Sequence, residues 1–304
     1  MNAHVPSLRL PARDPAGHKG RFGTVAVVGG TCAGGRLMIG APALAATGAL
    51  RAGAGLARLV MPAPILSAGI GLCPSATGIA LPVEGDRLSA SDAAAALDAA
   101  LEGASAAVIG PGLGTGMVEQ QLALRALSQV DVPIVADADA LSGIAQLREF
   151  WRDLRAPAVL TPHPGEFRAL ARPLAIMEDP AEERSRERAA EGMAQRLGCV
   201  VVLKGAGTVV SDGQRTWRCG HANHALATGG TGDVLAGLIA GLIAQFARGQ
   251  GGPDLWTLAC VGVEAHARAA KAWVESSGAS AGMLALELCD RLPGVLEGMR
   301  ESAE

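Results

Sequence analysis

Short apolar runs closed by glycine alternate along this chain with longer stretches of helical periodicity. Thr24–Val28 is almost uniformly β-branched, ends in Gly29-Gly30, and reads as a parallel strand buried on both faces. Gly40–Leu50 reads as an apolar helix, with Pro42 in the first turn, where a missing N–H is tolerated. Leu56–Val60 is a second strand closed by Met61-Pro62, and Ser91–Leu101 a helix with Ser91 or Asp92 as cap. The pattern continues with strand Ala106–Ile109, helix Val118–Ser128, strands Pro133–Ala136 and Ala158–Leu160, the charged amphipathic helix Ala181–Leu197 and strand Cys199–Leu203. Thr208–Ser211 and Gln214–Arg218 read as a hairpin around Asp212-Gly213. Thr231–Phe246, Leu255–Val274 and a last segment from near Gly282 are helical.

Strand–helix alternation over the whole length predicts an α/β fold with a central, mostly parallel sheet covered by helices on both faces. No linker or low-complexity stretch divides residues 1–304, so a single domain is expected, with residues 1–17 as a flexible N-terminal extension. Ligands of open α/β sheets bind beyond the carboxyl ends of the strands. The polar and glycine-rich motifs of this chain follow its strands at that edge.

Composition narrows the function classes. Aromatics make up only 3% of the chain, so Ala, Val, Leu and Ile must build the core. A net charge of −3 without a Lys/Arg run excludes the footprint of a general nucleic-acid binder. Met1–Arg13 has no apolar signal region, and no apolar run reaches the roughly 18 residues of a membrane span. A cytoplasmic protein follows, with the six scattered cysteines as free buried thiols.

Four motifs carry chemistry. Ala227-Thr228-Gly229-Gly230-Thr231-Gly232-Asp233 precedes an apolar helix. Its glycines let backbone amides converge, and the helix start adds unpaired N–H groups and a positive dipole end, a pocket for phosphate. Asp233 beside it is either a general base for an attacking hydroxyl or a helix-start carboxylate favouring the dipole. Lys204-Gly205-Ala206-Gly207-Thr208 places a lysine at the end of a buried strand, which is costly unless it meets an anion or snorkels to solvent. In Thr161-Pro162-His163-Pro164-Gly165-Glu166, His163 can donate to a substrate oxygen or be a solvated loop residue, and Glu166 can hold a metal or its water. Asp137 and Asp139 can orient Mg²⁺ through water or cap the next helix. The Gly110–Gly114 loop does not fit the dinucleotide fingerprint, and no phosphate-loop GxxxxGK[ST] occurs. Gly278-Ala279-Ser280-Ala281-Gly282 matches GxSxG but follows a helical stretch, so it reads as a loop rather than a nucleophile elbow.

Taken in order, these motifs resemble the ADP- or ATP-dependent NAD(P)H-hydrate dehydratases of the ribokinase-like superfamily. The matching stretches include His18-Lys19-Gly20, Gly40-Ala41-Pro42, Leu50–Gly55, Gly110–Gly114, Asp137–Leu141, Thr161–Glu166, Lys204–Thr208 and Asn223–Gly237. His224-Ala225-Leu226 stands where many relatives have Pro-Gly-Met. The resemblance implies a ribokinase-like three-layer α/β/α fold and repair of hydrated nicotinamide cofactor, NADHX or NADPHX, with ADP or ATP as co-substrate and Mg²⁺. It implies that Ala41, Gly112, His163 and Asp233 contact the hydrate, with Asp233 catalytic, and that Lys204, Gly205, Ala206, Gly207, Thr208 and Gly232 contact the nucleotide. It further implies a homo-oligomer and an epimerase on another chain. A ribokinase-like kinase of a vitamin-precursor alcohol and a non-catalytic nucleotide sensor are the competing readings.

Overall fold

The computed structural model describes residue 6, residues 8–247 and residues 252–300. In chain order its elements are β1 (Thr24–Val28), α1 (Gly40–Arg51), β2 (Leu56–Pro62), α2 (Ala63–Leu72), β3 (Thr77–Leu81), β4 (Val83–Glu84), β5 (Arg87–Leu88), α3 (Ala90–Leu101), β6 (Ala106–Ile109), α4 (Met117–Ser128), β7 (Ile134–Ala136), α5 (Asp139–Ile144), β8 (Ala158–Leu160), α6 (Pro164–Ala171), α7 (Arg186–Leu197), β9 (Val200–Leu203), β10 (Val209–Ser211), β11 (Thr216–Arg218), α8 (Thr231–Phe246), α9 (Leu255–Ser277) and α10 (Ala285–Glu297). Nine strands form one sheet in the order β11-β10-β9-β8-β7-β6-β1-β2-β3, parallel from β9 to β3, with β10 and β11 antiparallel. β4 and β5 make a separate small hairpin.

The sheet separates two cores. Along β1, Val25 and Val27 face one cluster, shared with α1, α8, α9 and α10; Ala26 and Val28 face the other, shared with α3 to α7. Period-two alternation within a fully apolar strand is what burial on both faces requires. Helices α1 and α8 lie against each other at very short range. A Cβ on Gly237 would stand 1.9 Å from the Ala45 carbonyl oxygen, and one on Gly48 would stand 2.6 Å from that of Val234. Only glycine permits this approach.

Register fixes the functional edge. Val28 pairs with Ile109, Ile109 with Ala136, and Ala136 with Leu160. The residues that follow, Gly29, Gly110, Asp137 and Thr161, therefore stand in one row at the carboxyl ends. The backbone N–H of Lys204 donates to the Pro162 carbonyl at 2.9 Å, which sets Lys204 at the level of the His163 loop.

Several expectations need correction. Helix α2 and edge strand β3 do not follow from the hydrophobic pattern: α2 carries Pro64, Gly69 and Gly71, and β3 is exposed at three of its five positions. Helix α7 begins at Arg186 rather than Ala181, because Ser185 Oγ turns back onto the Asp179 and Glu182 carbonyls. The last helix begins at Ala285. Residues 8–17 are not a free extension: Leu10 is fully buried and bonds to the Met299 carbonyl at 2.8 Å, and the Arg13 guanidinium lies 3.6 Å from the Phe22 ring centre. The GxSxG match, by contrast, is the loop expected of it, with Gly278 ending α9 in the left-handed region at φ 67°. No helix of the described residues is long and apolar enough to cross a membrane.

Candidate functional site

Lys204 is the hub of the carboxyl edge. Its Nζ lies 2.5 Å from Asp137 Oδ1 and 3.9 Å from Glu166 Oε2. The same Asp137 oxygen accepts from Thr161 Oγ1 at 2.7 Å. Asp137 is buried and Lys204 nearly so, so the anion this lysine meets within the chain is a carboxylate. Burial alone would depress the ammonium, but Asp137, Glu166 and Asp233 together hold it above its usual value. The lysine also reaches toward the start of α8, where a Cβ on Gly232 would stand 3.6 Å from Nζ. Asp137 and Asp139 do not cap α5, whose N-cap position has no side-chain bond. Asp139 instead accepts from the Gly114 N–H at 2.9 Å and pins the Gly110–Gly114 loop. Between them, Ala138 sits at φ 52°, a strained conformation for a residue with a Cβ, such as collects at functional sites.

The His163 loop is locked by a capping box. His163 Nδ1 accepts from the Gly165 and Glu166 N–H groups at 2.9 and 3.3 Å, and Glu166 Oε2 accepts from the His163 N–H at 2.8 Å. With Nδ1 accepting, a neutral imidazole carries its proton on Nε2. That nitrogen lies 3.3 Å from Glu166 Oε1 on a ring more than half exposed. Burial and the Lys204 charge keep the imidazole below its usual pKa. Burial raises the Glu166 carboxyl to about 7 despite Lys204.

At the head of α8, Gly230 occupies the left-handed region at φ 92° and Asp233 is the third helical residue. Asp233 accepts no side-chain hydrogen bond among the described residues. Burial, reinforced by Asp137, raises its carboxyl to about 7, with Lys204 opposing. A carboxyl so placed exchanges its proton near neutrality, as a general base should. Ala41, at the second position of α1, and Gly112 face each other: a Cβ on Gly112 would stand 3.6 Å from that of Ala41 and 2.8 Å from that of Met38.

Beside the α8 start opens a cavity of about 480 Å³. Lys204, Gly205, Ala206, Thr208 and Gly232 all line it, with Leu226, Leu235 and Val263 as apolar wall. The Lys204–Thr208 turn uses Gly205 at φ 142° and Gly207 at φ 66°, and is closed by Thr208 Oγ1 on the Gly205 carbonyl at 3.1 Å. Thus five of the six residues singled out for the nucleotide line one cavity, whereas Gly207 borders the neighbouring recess on the other side of the turn.

Two supports escaped the sequence. His266, buried on α9, has Nε2 2.9 Å from the Thr231 carbonyl, and burial holds it neutral with a pKa lowered to about 4. Glu264, also buried on α9, receives Arg268 Nε at 2.7 Å and lies 3.2 Å from His221 Nε2, tethering the segment that walls the cavity. Both read as ordinary helix positions until packing is known. All six cysteines are free, and burial raises the Cys219 thiol at this wall to about 11.

The residues do not form a resident metal site. Asp137 is taken by Lys204 and Thr161, Asp139 by Gly114, and Glu166 by the capping box. No group of three or more His, Cys, Asp or Glu among the described residues could hold a metal ion. Mg²⁺ usually keeps its waters and binds through one or two carboxylates plus substrate phosphates, so it fits here only in company with a nucleotide.

Comparison with known proteins agrees with this geometry. The NAD(P)H-hydrate dehydratase family model matches residues 26–294. The chain is 37% identical, over 95% of its length and 92% of the relative's, to the ADP-dependent (S)-NAD(P)H-hydrate dehydratase of Xanthomonas campestris pv. campestris. It is 42% identical, over 77% of its length, to a bifunctional NAD(P)H-hydrate repair enzyme of Salinibacter ruber, and spans about half the length of such bifunctional relatives. The crystal structure of the ADP/ATP-dependent NAD(P)H-hydrate dehydratase of Bacillus subtilis, co-crystallized with ATP/Mg²⁺, superposes with a TM-score of 0.76 at 31% identity, covering 96% of this chain and 95% of that one. The fold is ribokinase-like, as expected. The chain belongs to the NAD(P)H-hydrate dehydratase family.

Proposed function

We propose that this protein uses ADP or ATP to dehydrate the S epimer of NADHX or NADPHX. The observation that carries the reading is the place of Asp233: a half-buried carboxyl in the first turn of α8, facing the Lys204 cluster, with desolvation raising its pKa to about 7. In this reading Asp233 takes the proton of the ring hydroxyl as its oxygen attacks the terminal phosphorus. The bond from that phosphorus to the nucleotide breaks, releasing AMP from ADP or ADP from ATP. The ring nitrogen's lone pair then expels phosphate, and loss of a proton from the adjacent ring carbon restores NAD(P)H.

The chain's own residues supply position and charge. The Gly229–Gly232 amides and the α8 dipole receive phosphate, and Lys204 balances the charge that builds beside Asp233. The Lys204–Thr208 turn and Gly232 hold the nucleotide in the 480 Å³ cavity. Ala41 and Gly112 leave room for the hydrated ring, and neutral His163 offers its Nε2–H to it. Mg²⁺ accompanies the nucleotide and screens its phosphates. Homo-oligomer formation, a cytoplasmic location and supply of the S form by a hydrate epimerase complete the proposal.

The test mixes purified protein, Mg²⁺, NADHX and either ADP or ATP, and follows the absorbance of restored dihydronicotinamide. Restoration with release of free phosphate is expected. Failure with both nucleotides, together with efficient phosphorylation of a vitamin-precursor alcohol, would replace this reading with the kinase one.

A further inference from the structure

Across the Gly205–Gly207 turn from the nucleotide cavity lies a second recess of about 660 Å³, running from Pro164, next to His163, to Gly220. Two guanidinium groups border it. Arg186, the first residue of α7, is only 5% exposed. Its Nη1 donates to the Pro180 carbonyl at 2.6 Å and its Nη2 to those of Leu203 and Lys204 at 3.0 and 3.2 Å. No carboxylate pairs with it among the described residues, and its Nε is the buried side-chain polar atom left without a hydrogen-bond partner. Arg218, at the end of β11, bonds Glu183 at 2.9 Å, but Glu183 is 79% exposed. Such a pair is weak and easily exchanged.

The turn is shaped around these two cations. A Cβ on Gly205 would stand 3.1 Å from Arg186 Nη2, and one on Gly207 would stand 2.6 Å from Arg218 Nε. Carbonyl oxygens satisfy part of the Arg186 fork but do not neutralise it. A buried cation without a counter-charge is unfavourable unless an anion arrives. In keeping with this, burial and the Arg218 charge hold Arg186 below its usual pKa.

We propose that the Arg186–Arg218 recess is a phosphate subsite, taking a phosphate group of a nucleotide that lies across the Gly205–Gly207 turn. The inference rests on the nucleotide-dependent reading above. The anion meets the Arg218 fork in place of Glu183 and supplies the charge that Arg186 lacks. That phosphate belongs either to the chain of ADP or ATP, or to the hydrated dinucleotide.

Arg218→Gln and Arg186→Lys test the subsite, with Arg188→Gln, an exposed α7 arginine, as control for general charge loss. Calorimetry measures ADP, ATP and adenosine, and steady-state kinetics give KM for NADHX and NADPHX. Loss of a charge-assisted bond should weaken phosphate-bearing ligands roughly tenfold and leave adenosine unchanged. A tenfold loss confined to ADP and ATP assigns the phosphate to the co-substrate; a matching rise in KM confined to the hydrates assigns it to the dinucleotide. If Arg186→Lys fails to fold, Arg218→Gln alone decides. Unchanged ADP affinity and unchanged hydrate KM in a protein that still dehydrates NADHX would overturn the subsite alone. Weakened ADP binding in a protein that restores no NADHX would overturn the dehydratase reading and leave the subsite standing.

Discussion

Replacing Asp233 with asparagine keeps the shape of the α8 head and removes both its basicity and its charge. Two effects of opposite sign follow. In the proposed role of general base, Asp233 would be worth roughly 10²–10⁴ in rate, so turnover should fall by that factor. Stability should move the other way. Raising the carboxyl from its ordinary 3.8 to about 7 corresponds to roughly 4 kcal/mol against the ionised form, at about 1.4 kcal/mol per tenfold change. Below pH 3.8 the group is protonated in both folded and unfolded chains and contributes nothing. Between there and about pH 7 the unfolded chain ionises while the folded one holds its proton, so the native protein loses stability as pH rises; above that range the full cost persists. The asparagine variant therefore gains on the parent from pH 4 to 7 and keeps its advantage at pH 8. Glu166, raised to about 7 for the same reason, leaves part of the slope in both proteins. Because the base works only when ionised, kcat/KM of the parent should rise with pH through about 7 and then level. The assay pairs dihydronicotinamide recovery with thermal melts across pH 4–8. Near-normal turnover in the folded variant refutes the base; parallel melting profiles refute the account of its burial.

Lys204→Ala strips Asp137 of its counter-charge at a site only 2% exposed. It should cost about 3–5 kcal/mol in chemical denaturation as well as weakening ADP and ATP binding, and Lys204→Met with Asp137→Asn should recover much of the stability. His163→Ala should raise KM for the hydrate more than for the nucleotide, and the lost N-cap should cost about 1 kcal/mol; equal effects on both ligands would assign His163 to loop structure alone. Gly237→Ala puts a methyl 1.9 Å from the Ala45 carbonyl oxygen. It should destabilise by more than the ~1–3 kcal/mol of ordinary overpacking, since backbone must move; a neutral effect on the melt would refute the close α1–α8 approach.

The central strands and the helices on both faces were readable because their chemistry is local. A continuous Val/Ala/Ile run has one good environment, and glycine after a strand has few uses. Edge strand β3 and helix α2 offered no such signal, since partial exposure and internal Gly and Pro blur both periods. The His163–Glu166 pair was readable as chemistry but not as a capping box, because histidine is an unusual N-cap. What escaped altogether depends on distant contacts. That Lys204 meets Asp137, 67 residues away, and Glu166 is a product of strand order. His266 and Glu264 look like solvent-facing positions of an amphipathic helix until the α8 head and the cavity wall are packed against them.

Strand order also explains why the two halves of the proposed site belong to one scaffold. The hydrate side is set by α1 and the Gly110–Gly114 loop, which follow β1 and β6; the phosphate side is set by α8, nearly 200 residues after α1 in the chain. Their alignment rests on the backbone contacts at Gly48, Gly237 and Gly241, where a Cβ would stand 1.9–2.6 Å from a facing carbonyl oxygen. Helices in contact through backbone have little freedom to slide, because the partner atoms are not the ends of adjustable side chains. At the head of the pair, the space a Gly230 side chain would need is filled by Leu44, three residues after Ala41. Ala41 and Asp233 are thereby fixed relative to each other by the same packing that closes one hydrophobic core. The proposed in-line transfer from a nucleotide to a ring hydroxyl would demand that kind of fixed separation, which the helix interface rather than a loop would then supply.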